Sequence, residues 1–313
     1  MIKRVIEISS EPLRLSVRYG QLILEKPHEI TDQPVSIPCE DIGVVVIDHP
    51  QACFTHSAIA SLVESGASII FCGKNHLPAG LALPISTNTE VVSRINDQIN
   101  ISKPISKQIW KQLIVGKIHA QADNLEHAPS SQLRLRNMAA TVKSGDPSNI
   151  EAQAARVYWS VWLSDSANHA AGVCKIKFKR DIDGDGINAL LNYGYAILRA
   201  GVARAIVSAG LIPALGIHHK NRSNAFALAD DLLEPIRPIA DRVVRSLVRR
   251  GICEINRDAK QELLGMLHRT VMFEDQTGPL MVVFHRYSAS FLRCMRGESK
   301  RLSIPTDTGE NGA

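Results

Sequence analysis

The sequence predicts an α+β protein in which an N-terminal β-rich domain precedes a larger all-α domain. Two patterns predict it. Over residues 1–88 the chain consists of short apolar or alternating runs cut by Gly, Pro and polar turns, which is how strands read. Over residues 89–296 helical periodicity replaces them, and residues 297–313, "GESKRLSIPTDTGENGA", read as a polar, mobile tail. A chain of 313 residues is long enough for two cores.

Taken in order, "KRVIEIS", "LRLSVRYGQLILEK", "SIPCEDIGVVVID" and "ASIIFC" are the strand candidates, with a hairpin turn at Tyr19-Gly20. "THSAIASLVESG" supplies one helix, capped by Thr55 or Ser57, ended by Gly66 and crossing between "VVVID" and "ASIIFC". The domain border falls near "LPISTNTE". Beyond it, "IEAQAARVYWSVWLSD", "INALLNYGYAILRAGVARAIVSAG" and "PIADRVVRSLVRRGI" are the clearest helices.

Composition excludes several classes. With 45% hydrophobic and 21% charged residues the chain is globular, and no apolar run is long or continuous enough to span a bilayer. The start, "MIKRVIEISS", has no secretory apolar region, so a cytoplasmic protein with no membrane association is expected. Six cysteines without a CxxC pair argue against a zinc ribbon or a disulfide framework and read as buried apolar residues. The net charge of +5 is modest, but its distribution is uneven. Arg237, Arg242, Arg245, Arg249 and Arg250 crowd one stretch, Arg286, Arg293, Arg296, Lys300 and Arg301 another, and Lys175, Lys177 and Lys179 alternate with Ile176 and Phe178; three such clusters in one half of the chain point to a phosphate-bearing partner.

Three stretches carry candidate chemistry. "DIDGDG" matches the opening of a calcium loop, but its twelfth position is Asn192 where a bidentate Glu is needed, so it reads as an acidic turn entering a helix. Glu151 follows "GDPSN", where Asp146 or Ser148 can cap and Pro147 suits a first turn. "GIHHKNRSNAFALADDLLEP" sets His218 and His219 before Asp230, Asp231 and Glu234, whose helical spacing puts like charges on one face. Something positive must sit among them, either a Lys or Arg from elsewhere or a divalent cation. One imidazole with two or three carboxylates suits Mg²⁺ or Mn²⁺, and such an ion does phosphoryl chemistry.

"GDPSNIEAQAARVYW", "INALLNYGYAILRAGVARAIVSAGLIPALGIHHKN" and "NAFALADDLLEPIRPIADRVV" together resemble the CRISPR adaptation integrase family, most like its type II members. The resemblance implies that the helical domain is catalytic and that Glu151, His219 and Glu234 are its catalytic, metal-holding residues, with Asp231 a lower-ranked fourth ligand. It implies insertion of a short double-stranded DNA, the new spacer, by attack of its 3′-hydroxyl ends on a phosphodiester at the CRISPR repeat. It also implies a homodimer, with the β-domain as its surface, and a small second adaptation protein in a larger integration complex. No nucleotide cofactor is expected, since phosphodiester exchange conserves the bond and no GxxxxGK[ST] loop occurs. DNA-backbone contacts are expected from Lys175, Lys177, Lys179, Arg237, Arg245, Arg249 and Arg250. Two other readings use the same residues: a metal-dependent nuclease acting on branched DNA, and a non-catalytic DNA-binding scaffold whose acidic cluster pairs with arginine.

Overall fold

The computed structural model describes residues 3–27, 34–85, 88–164 and 178–309. Among the described residues the N-terminal part comprises two sheets, one α-helix and a 3₁₀ turn at Cys39–Asp41. β1 (Arg4–Ile8), β5 (Ile42–Ile47) and β7 (Ser68–Cys72) lie parallel, and β8 (Pro78–Ala82) adds antiparallel. The second sheet runs in the order β4 (Val35–Pro38), β3 (Gln21–Glu25), β2 (Arg14–Arg18), β6 (Cys53–Phe54). Tyr19 and Gly20 both have positive φ, 51° and 72°, which is the conformation a two-residue hairpin loop needs to match strand twist. α1 (His56–Glu64) joins the parallel strands β5 and β7, and Thr55 Oγ1 accepts from the Ala58 N–H as its cap.

All of β5, "IGVVVI", is buried, which explains why it does not alternate. Val45 and Ile47 face the core between the two sheets, with Leu15, Leu22 and Leu62. Val44 and Val46 face the opposite way and join the helical core. One strand therefore serves both cores.

The helical part comprises α2 (Val91–Ile99), α3 (Lys103–Asp123), α4 (Pro129–Thr141), α5 (Ile150–Val161), α6 (Ile187–Ser208), α7 (Ala227–Leu233), α8 (Arg237–Arg249), α9 (Arg257–Gly265) and α10 (Leu280–Met295). α6 is buried along most of its length and packs against α7, α8, α9 and α10, so it is the axis of this domain. The architecture is the expected α+β arrangement. A small antiparallel sheet of β10 (Gln276–Pro279), β9 (Thr270–Phe273) and β11 (Thr306–Asp307) is added to the helices. Among the described residues no helix is long and apolar enough to cross a membrane.

Two expectations need correction. The segment expected to be a mobile tail is packed over its described part, because apolar residues punctuate it. Leu302 is buried, and Asp307 pairs with Arg269 at 2.6 Å while Thr306 pairs in the sheet with Met272. The cysteines are not uniformly buried and apolar: Cys39 and Cys294 are buried, Cys53 is exposed and Cys253 is disulfide-bonded. The "DIDGDG" turn is tied down by neighbours. Asn188 Oδ1 accepts from the Asp181 N–H at 2.9 Å and Asn192 Nδ2 donates to the Ile182 carbonyl at 2.7 Å, and α6 starts directly after the turn.

Candidate metal-binding active site

Glu151 enters from the first turn of α5. Asn149 caps that helix in a left-handed conformation, its Oδ1 accepting from the Ala152 N–H at 3.2 Å. Asp146 accepts from the Ile150 N–H at 2.8 Å and the Glu151 N–H at 2.9 Å, so the backbone that carries Glu151 is held by two side chains. The capping residues are Asn149 and Asp146, and Ser148 takes no such part.

His219 lies on the connection between α6 and α7, which three distant residues fix. Gln98 Nε2 donates to the carbonyls of Ile212 and Leu215 at 2.9 Å, and Ser106 Oγ donates to that of Ile217 at 2.8 Å. The His218 ring stacks on Trp110 at 3.8 Å, and His219 meets the same indole edge-on. Gly216 is compulsory here, since a Cβ would stand 2.4 Å from the His219 carbonyl oxygen and 2.9 Å from Asp231 Oδ2.

The acidic residues of α7 divide into three roles. Asp230 turns to Arg199 at 2.7 Å and Asn224 at 2.8 Å. Asp231, fully buried, accepts the backbone N–H groups of Ile217, His218 and His219 and also the Nδ1–H of His219 at 2.6 Å. A carboxylate only accepts, so His219 donates from Nδ1, and in the neutral ring Nε2 is the acceptor. Glu234, 3% exposed at the end of α7, faces Lys117 Nζ at 2.5 Å and Arg237 at 3.3 Å.

Lys117 completes the geometry. Its ammonium, on α3, is also 2.6 Å from Glu151 Oε1, so the two carboxylates meet at one cation. Burial alone would raise the Glu234 pKa, but Arg237 and Lys117 outweigh it and hold that pKa at about 2. Burial likewise opposes the charge on Lys117, and Glu234 and Glu151 reverse the effect. His219 is raised, first by its bond to Asp231 and then, against burial, by the charges of Asp231, Glu234 and Glu151. Burial lowers His218, and His219 adds to that. A cation was expected among these acids, and an ammonium occupies the position.

The donor set fits a hard divalent ion. Two carboxylates that meet at one ammonium, with an imidazole on which both act, offer hard oxygen donors and one nitrogen, and Glu234 Oε2 is buried with no hydrogen bond of sound geometry despite its ion pair. Among the described residues no three His, Cys, Asp or Glu stand at ligand spacing, and Lys117 lies between the two carboxylates.

The basic residues expected at DNA separate into different kinds. Lys175 and Lys177 lie outside the described residues, and Lys179 is exposed. Arg249 and Arg250 are exposed, with Arg250 paired to Glu262 at 2.6 Å. Arg237 belongs to the acidic site, its guanidinium also over the Tyr195 ring at 5.2 Å. Arg245 is not at the surface: only 6% exposed, it donates to the Asn124 carbonyl and lies 3.1 Å from His127 Nδ1. It follows Asp241 by one helical turn on the inner face of α8, which the count of arginines in this stretch conceals.

Lys117, Trp110, Gln98 and Ser106 were not anticipated. The periodicity of α3 holds the missed signal, because Trp110, Leu113, Ile114, Ile118 and Gln121 mark its buried stripe and Lys117 falls on it. A lysine on a buried stripe needs carboxylate partners.

Fold and site together define a helical region, packed on a β-sheet region, in which two carboxylates meet at one ammonium and a histidine is held by a third carboxylate. The chain matches the family model described as CRISPR associated protein Cas1 over residues 6–272, and it belongs to that family. It is 34% identical over 297 residues to the CRISPR-associated endonuclease Cas1 of Neisseria meningitidis serogroup C (strain 8013), covering 93% of this chain and 92% of the relative. Among solved structures it resembles a casposase bound to integration product, with TM-score 0.76 and 20% identity over 99% of this chain and 94% of that one. It also resembles a chain of a Cas6-RT-Cas1–Cas2 complex, with TM-score 0.75 and 17% identity over 98% of this chain and 36% of that longer one. At these identities the structural likenesses concern the fold.

Proposed function

We propose that this chain is a metal-dependent DNA integrase of CRISPR adaptation, joining the 3′-hydroxyl ends of a short duplex to a phosphodiester at the repeat. The observation that carries this is the meeting of Glu151 and Glu234 at a single cation position, beside a histidine whose Nδ1 is committed to Asp231. Family membership and the casposase-like fold support it.

Glu151, Glu234 and His219 Nε2 would hold Mg²⁺ or Mn²⁺. When bound, such an ion would supply polarisation of the target phosphate and a lowered hydroxyl pKa. Asp231, ranked as a fourth ligand from the sequence, is better suited to supporting His219, whose tautomer and orientation it fixes, and it has little capacity left to bind an ion. Arg237 keeps Glu234 ionised and in place. Lys179 and Arg249, together with Lys175 and Lys177, supply positive charge for the DNA backbone, where contacts position rather than specify. The same reading gives the chain a homodimeric β-domain surface and a second small adaptation protein. A Cas1–Cas2 complex among its structural neighbours supports that partnership.

Two rivals each have one observation. The relative's name, endonuclease, favours hydrolysis, since the site would activate water as readily as a hydroxyl. The Lys117 bridge favours an idle scaffold, since it already neutralises the acids. The deciding assay offers a labelled duplex and a repeat-bearing plasmid, with the partner protein and either Mn²⁺ or EDTA, to wild type, Glu151→Ala, His219→Ala and Glu234→Ala. Metal-dependent joining that all three variants lose is expected. Cleavage without joining would favour the nuclease, and joining unaffected by the variants would favour the scaffold.

A further inference from the structure

Resting on the metal-site reading above, we infer that Lys117 is a built-in counter-cation, seated between Glu151 and Glu234, that has to leave before a divalent ion binds. Its side chain is 13% exposed and its ammonium spans two carboxylates from different helices, Glu151 of α5 at 2.6 Å and Glu234 after α7 at 2.5 Å. Glu234 is itself almost wholly buried. Two like charges that close together in low dielectric repel strongly without a cation between them.

The ammonium therefore stabilises the same arrangement that the ion needs, and it competes for the same oxygens. Gly116, next to it, keeps α3 close to this region, since a Cβ there would meet Ile304 Cδ1 at 2.9 Å and Pro235 Cβ at 3.3 Å. With the backbone pinned, departure of Lys117 is a movement of its flexible stem, and no helix has to shift. The device gives a protein that folds without metal and an apparent metal affinity reduced by the fraction of molecules in which the ammonium is seated.

The test measures Mn²⁺ binding directly, by calorimetry and by the rise in melting temperature, for wild type, Lys117→Met, Lys117→Arg and Glu234→Ala. Lys117→Met should melt lower than wild type in EDTA, bind Mn²⁺ on the order of tenfold more tightly, and gain more stability from it. Lys117→Arg should stay near wild type. Equal or weaker Mn²⁺ binding by Lys117→Met, while Glu234→Ala loses it, would overturn the role of Lys117 and leave the metal site standing. Mn²⁺ binding unchanged in Glu234→Ala would instead overturn the metal-site reading itself. If Lys117→Met does not fold, wild type still decides the matter. Lysine acylation read by mass spectrometry should rise at Lys117 when Mn²⁺ saturates the protein, and unchanged labelling would contradict the inference.

Discussion

Two buried clusters in this molecule set carboxylates against a lysine, and they treat charge in opposite ways. Where β5 meets α9, Asp48 pairs with Lys260 and lies 3.1 Å from His76 Nδ1. Glu7 beside them is left over: burial raises its pKa, and its Oε1 is buried without a hydrogen-bond partner. At the acidic site both carboxylates reach one ammonium, and Glu234 is held at about 2 although it is more deeply buried than Glu7. The first cluster matches one acid to one base and lets the surplus acid lean toward neutrality. The second sets two carboxylates against two cations, Lys117 and Arg237, and so keeps its buried acid ionised.

The comparison can be broken by removing its structural member first. Asp48→Ala leaves Lys260 charged and 7% exposed, so it should cost about 3 to 5 kcal/mol of stability in denaturant unfolding. It should leave the stabilisation gained from Mn²⁺ unchanged. An altered response to Mn²⁺ would mean that the two clusters are not separate in function.

The second prediction sharpens the role of Asp231. Asp231→Asn should lower Mn²⁺ affinity about 10- to 100-fold, because the His219 ring loses its charged orienting partner. Affinity equal to wild type would argue that His219 needs no such support.

A third concerns a buried acid that neither cluster uses. Asp241 accepts from Tyr195 at 2.5 Å and Tyr158 at 3.0 Å, and burial lifts its pKa to about 6 despite both bonds. The folded value lies above the unfolded one, so its contribution to stability is complete below the ordinary carboxylate pKa near 4 and is lost as pH rises through about 6. Within that window the slope approaches about 1.4 kcal/mol per pH unit. Asp241→Asn should flatten it, as chemical unfolding at a series of pH values would record.

The smallest effect separates surface arginine from buried arginine. Arg249→Ala should reduce the salt slope of DNA binding by about one and leave the melting temperature nearly unchanged. Arg245→Ala should do the reverse, because its guanidinium is spent on Asn124 and His127. A reduced salt slope in Arg245→Ala would show that its burial does not hold on DNA.

Much of this was legible in the sequence, for reasons that are physical. The crossover helix α1 announced itself through Thr55 and its apolar spacing, and the Tyr19-Gly20 turn through the one residue type that takes positive φ freely. Glu151, His219 and Glu234 were named from the resemblance; the two glutamates meet at Lys117, while His219 is bound to Asp231 and feels the charge of both. Lys117 was missed because its partners lie on other helices, and only its place on the buried stripe of α3 betrays it. The division of labour among Asp230, Asp231 and Glu234 was also hidden. Helical spacing puts them on one face, whereas Arg199, the backbone amides before His219, and Lys117 decide which acid does what. The described C-terminal segment is anchored by isolated residues, Leu302 and Asp307, within a polar run, a pattern that composition alone reads as tail.

The most direct measurement is a crystal of the protein soaked in Mn²⁺, with data collected for anomalous scattering from manganese. The account predicts a peak roughly 2.1 Å from carboxylate oxygens of Glu151 and Glu234 and from His219 Nε2, with the Lys117 ammonium moved away. A peak elsewhere, or a fully soaked crystal with Lys117 still seated between the two carboxylates, would contradict it.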